Sequence, residues 1–172
     1  MDNEQTALYE HLALHEEAIS ELYRTFGEIF PKVADFWNEM AAQEDSQAKM
    51  LCSLKRRYEA GQVQLKECRL TQSGVQYSLD YVNQLIEKAK NGKITGLREA
   101  LGIAYDLENA MIEKEIFALF EESSPALSKV LEKLYDDNLQ QRKKVLDWID
   151  KLKSGQDIDM LTKEQAGGST GL

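Results

Sequence analysis

Polar residues break the apolar faces of four long segments, and their types are those of acid–base or metal chemistry. In the segment at about residues 3–30, Glu16 lies on the stripe formed by Leu12, Ile19, Tyr23, Phe26 and Phe30. In the segment at about 32–59 the stripe runs Val33, Trp37, Met40, Glu44, Gln47, Leu51 and Leu54. In the segment at about 94–121, Glu108 falls between Ala104 and Met111, and Glu115 follows one heptad later. In the segment at about 125–153 the stripe runs Leu127, Leu131, Leu134, Asn138, Gln141, Val145 and Trp148. Steps of three and four residues place each set on one helix face. A buried ionised carboxylate without a partner is very costly, and several together raise one another's pKa. Two chemistries compensate. A bound cation does so directly, and carboxylate and amide oxygens suit hard ions such as Ca²⁺, Mg²⁺ or Mn²⁺. Protonation, with hydrogen bonds to Gln47, Asn138 and Gln141, does so without a metal.

Other reactive side chains carry weaker signals. His11 and His15 are four residues apart and share a helix face. That spacing can hold a metal, but without the remaining ligands of an HExxH pattern the two read as solvent-facing helix residues. Cys52 and Cys68 have no CxxC spacing, which excludes a zinc ribbon, a rubredoxin-type iron centre and a disulfide framework. Reduced thiols in a cytoplasmic protein are the simple expectation. Cys52, beside Leu51 and with no histidine near in sequence, reads as a small buried side chain. The methionines read as core gap-fillers, and the runs Lys55-Arg56-Arg57 and Arg142-Lys143-Lys144 as solvated helix faces.

The elements that must position these residues are all helical; no segment alternates as a strand would. The two prolines, Pro31 and Pro125, stand in tight breaks between long segments, and Ser123-Ser124 ahead of Pro125 form a cap and first turn. Helices of this length reach about 40 Å and bury their stripes most economically as a bundle. The middle connection, about residues 60–93, contains Gly61, Gly74 and Gly92 and a short helix expected at Leu79–Lys90. The two hairpins also overlie each other. Glu16 matches Glu108, Pro31 matches Pro125, Trp37 matches Leu131 and Met40 matches Leu134, so a pseudo-twofold bundle is expected over residues 1–153. The composition of residues 154–172 predicts a disordered tail.

The chain has 172 residues, long enough for one well-filled domain. No apolar run is long enough to span a membrane, and no signal peptide is visible. With 21 Lys plus Arg against 30 Asp plus Glu, the net charge is −9, which argues against a nucleic-acid partner, because phosphate contacts need a basic face. An acidic surface with long amphipathic helices allows a homodimer.

At its interrupted stripes the sequence resembles the ferritin-like superfamily, specifically the rubrerythrin-type di-iron bundles, over about residues 8–152. In that family the first and third helices each give a Glu followed seven residues later by an aromatic. Here Glu16 is followed by Tyr23, and Glu108 by Glu115 in the aromatic's place. The second and fourth helices each give Glu-x-x-His. Here they read Glu44-Asp-Ser-Gln47 and Asn138-Leu-Gln-Gln141, so both histidines are replaced by glutamine. An alternative register of the fourth helix, Asp137 with Gln140, would restore one carboxylate. The resemblance implies an antiparallel four-helix bundle of two hairpins joined by a long crossover. It also implies Glu16, Glu44 and Glu108 as surviving metal positions, with Gln47, Glu115, Asn138, Gln141 and Tyr23 around them. Three functions are compatible: a metal-free module with a vestigial site, an altered divalent-metal site, and a di-iron oxidoreductase. The last would act on peroxide, oxygen or ferrous iron and need a separate electron donor.

Overall fold

The computed structural model describes residues 3–62, 70–113 and 125–155. Every regular element among them is helical: α1 (Asn3–Ile29), α2 (Ala34–Glu59), α3 (Gln72–Lys90), α4 (Leu97–Glu113) and α5 (Pro125–Lys153). The fold class is therefore all-α, as the patterning predicts. Glu115, Leu119, Cys68, Ser123, Ser124 and nearly all of the expected tail lie outside the described residues. So do the side chains of Met111, Leu127, Leu131 and Leu134.

Local chemistry explains the boundaries. A proline disfavours helical backbone in the residue before it, and Phe30, just ahead of Pro31, leaves the helix with φ −117° and ψ 68°. A single tight turn, Pro31–Val33, then leads into α2. Gly61, two residues past the end of α2, and Gly92, two past the end of α3, have φ of 68° and 67°, the left-handed backbone that glycine adopts without strain.

Two elements depart from expectation. The crossover helix is longer than Leu79–Lys90 and starts at Gln72, capped by Thr71, whose Oγ1 accepts from the Gly74 N–H at 3.1 Å. Gly74 thus belongs to a first helical turn, not to a break. The following helix starts at Leu97, because the chain runs irregularly from Gly92 to Gly96.

Helix α1 packs along both α2 and α3, and α4 packs along α5. One apolar core joins all five helices, from Leu22 and Phe26 of α1 through Trp37, Val82 and Leu101 to Trp148 of α5. Trp37 is its pivot, with ring centroids 4.8 Å from Phe36, 5.0 Å from Phe26 and 5.7 Å from Tyr23. Full burial of each such aromatic stabilises by about 2–3 kcal/mol. That packing fixes the rotation of α1 and α2 and hence the direction of their polar interruptions. Among the described residues no helix is long and apolar enough to cross a membrane.

Candidate functional site

On α2 the stripe is buried as the sequence reading expects. All seven α2-side positions, from Val33 to Leu54, are buried, Glu44 and Gln47 among them. Glu16 on α1 and Glu108 on α4 are buried too, at 0% and 3% exposure. On α5 the buried pair is Asn138 with Gln141, while Asp137 is half-buried and Gln140 exposed. The helix therefore presents two amides to the interior, and the alternative register is not the one adopted.

These side chains form two linked layers. In the amide layer, the Gln47 Nε2 group donates to Asn138 Oδ1 at 2.7 Å and to Gln141 Oε1 at 2.8 Å. Gln141 turns its own Nε2 the other way and donates to Glu44 Oε1. In the carboxyl layer, the Tyr23 hydroxyl donates to Glu108 Oε1 at 2.7 Å. Glu44 stands in the middle, within hydrogen-bonding reach of both Glu16 and Glu108. Glu16 and Glu108 feel each other through charge repulsion. The three carboxyls form a chain through Glu44.

Protonation follows from this geometry. Burial first, then repulsion among the acids, raises all three carboxyl pKa values above the ordinary 4.5. Glu16 is pushed up to about 8, by burial and by the Glu108 charge, against a lowering hydrogen bond from Glu44. Glu44 and Glu108 are held well above the ordinary range, by burial first and then by the neighbouring acids. Burial and the neighbouring acids also push the Tyr23 hydroxyl well up, keeping it a donor. With all carboxyls ionised, neither Glu16 oxygen has a donor. A proton on Glu44 supplies one, since a carboxylic acid donates and a carboxylate only accepts.

The donor set does not fit a di-iron centre. Gln141 and Tyr23 already direct N–H and O–H groups at Glu44 and Glu108, each taking up one oxygen of a carboxyl. Where histidine would offer a lone pair, Gln47 offers an amide engaged with Asn138 and Gln141. Among the described residues no group of three or more His, Cys, Asp and Glu side chains is arranged to hold a metal ion.

Two expectations need correction. His15 does not face solvent. It is 5% exposed, because α1 is covered on that side by α3, and its Nε2 lies 2.9 Å from Ser78 Oγ. Its Nδ1 lies 3.6 Å from Glu16 Oε1. A single stripe on α1 hides this, since a helix packed on two sides buries more than one face. Cys52 is exposed, not buried. Leu51 and Leu54 take the inward positions, and the next residue after Leu51 is rotated about 100° away from them. His11 is half-buried, with Nδ1 2.7 Å from the Ala7 carbonyl oxygen.

Compared with models of protein families, with curated proteins and with solved structures, the chain matches none of them.

Proposed function

We propose that this chain is a ferritin-like bundle of the rubrerythrin type in which a proton-carrying carboxyl–amide network stands where the family holds two irons. On this reading it works as a metal-free helical module, with a homodimer as its expected form, and not as an oxidoreductase. One observation carries the proposal: Gln141 and Tyr23 donate to Glu44 and Glu108, so an amide or hydroxyl hydrogen satisfies one oxygen of each of these carboxyls. The order of helices and the burial of Glu16, Glu44 and Glu108 support the family likeness. Pairs of exposed apolar residues one turn apart, Tyr77 with Tyr81 on α3 and Tyr135 with Leu139 on α5, give such a module apolar contact surface. A network of this kind fixes helix register at some cost in stability.

A second reading, one hard divalent cation such as Ca²⁺, Mg²⁺ or Mn²⁺, is favoured by the Glu16 oxygens, which lack a donor when Glu44 is ionised. Plasma mass spectrometry of the purified chain, before and after anaerobic incubation with ferrous iron, separates the readings. The proposal expects no stoichiometric metal and a melting temperature unmoved by added Mg²⁺, Mn²⁺ or Fe²⁺. One divalent ion per chain would establish the second reading. About two irons per chain, the complement of such bundles, would overturn the proposal and restore the redox function.

A further inference from the structure

The buried His15 and the half-buried Ser78 face each other across α1 and α3, and neither is used by the carboxyl–amide network. The contact pairs a hydroxyl with a ring nitrogen at 2.9 Å, the geometry of a nucleophile and its base when Nε2 is the acceptor; the Glu16 carboxyl lies 3.6 Å from Nδ1, beyond hydrogen-bond distance. Packing of α1 against α3 holds the imidazole against the hydroxyl. Apolar residues close to the pair in sequence are exposed: Leu14, next to His15, at 48%, and Tyr77 and Tyr81, one and three residues from Ser78, at 80% and 47%. We propose that Ser78 is an acylation site, with His15 as its general base, for activated esters bearing a small acyl or aryl group.

The step balances without a cofactor. Ser78 Oγ forms a bond to the acyl carbon while its proton passes to His15 Nε2. The bond from the acyl carbon to the leaving oxygen breaks, and that oxygen takes the proton from Nε2. Water later reverses the sequence, giving one proton to Nε2 and releasing the acid as Ser78 recovers its own. Ser78 lies beyond the first turn of α3, so the backbone N–H groups around it are spent within the helix. No backbone oxyanion hole is on offer there, and the rate rests on the base alone, about 10²-fold or somewhat more. The site therefore accumulates acyl-enzyme and hydrolyses it slowly.

The test treats the whole chain with p-nitrophenyl acetate and reads both the burst of nitrophenolate and the acetylated peptide by mass spectrometry. The proposal expects a burst near one per chain with the acetyl group on Ser78. It expects no burst in Ser78→Ala and about 10²-fold slower acylation in His15→Gln. Acetylation spread over lysines, at the same rate in the native chain and Ser78→Ala, would overturn it. So would a Ser78 acylation rate unchanged in His15→Gln. If His15→Gln fails to fold, Ser78→Ala, at a half-buried position, still decides.

Discussion

Raising the pH through neutrality is expected to loosen this protein, and the size of the effect follows from one carboxyl. Glu16 takes up its proton at about 8 in the folded chain and at the ordinary 4.5 when unfolded. Between these values the folded state binds more protons than the unfolded one, so stability falls as pH rises. The contribution is full below 4.5, declines through the window and is gone above about 8. At about 1.4 kcal/mol per tenfold change in proton affinity, the whole span is worth about 5 kcal/mol. Roughly 3 kcal/mol of that falls between pH 6 and 9. For a chain of this length each kcal/mol moves the melting temperature by about 2–4 °C, so a fall of about 6–12 °C is expected. Glu44 and Glu108 act in the same direction, since both are raised. The assay is thermal unfolding by circular dichroism in metal-free buffer from pH 6 to 9, with Glu16→Gln as the control. The amide cannot ionise, so its curve should be flatter. A native melting temperature constant or rising across this range would refute the reasoning, because it would mean the acids are not held protonated. An equal fall in both proteins would remove Glu16 as its source.

Two core substitutions test the network itself. Gln141→Leu removes the donor to Glu44 and an acceptor for Gln47. It should cost about 2–3 kcal/mol despite the added apolar surface, because buried polar groups lose their partners; urea unfolding checks this. Tyr23→Phe removes only the donor to Glu108 and should cost about 1–2 kcal/mol, with the loss visible in the same urea midpoint and the helical signal unchanged.

How much of this was legible depended on how many neighbours each helix has. Helix α2 packs mainly through one face, and its stripe from Trp37 to Leu54 is buried as the spacing predicts, polar members included. The α5 pair Asn138 and Gln141 follows from the same periodicity. Helix α1 is different. It meets α2 on one side and α3 on another, so Ala13, His15, Ala18 and Leu22 are buried off the expected stripe. The length of α3 was hidden because Gly74 looks like punctuation in sequence, while in three dimensions it satisfies Thr71 in a helix cap. The convergence of Glu16, Glu44 and Glu108 was readable from the stripes. Their state was not, because it depends on where Gln141 and Tyr23 aim their hydrogens, and that is set by helix rotation.

If the interior has exchanged metal ligands for hydrogen-bond donors, restoring the ligands should reverse the exchange. The triple variant Gln47→His, Asn138→Glu, Gln141→His rebuilds both Glu-x-x-His pairs on α2 and α5 and removes the amide that donates to Glu44. It places carboxylates and imidazoles around the interior that Glu16, Glu44 and Glu108 already share. Anaerobic titration with ferrous iron should then load about two irons per chain and raise the melting temperature. An ion at about a hundred times its dissociation constant adds about 2.7 kcal/mol. The pH dependence gives the sharper readout. The native chain needs protons on its acids and should lose stability as pH rises. The loaded variant needs those acids ionised and its histidines neutral, so metal binding releases protons and its stability should rise over the same range. A change in the sign of the slope is hard to produce by general destabilisation or by adventitious surface binding. A variant that keeps its helical signal and cooperative melt, takes up no iron and retains the native slope would show that more than these three positions separates this interior from a metal site.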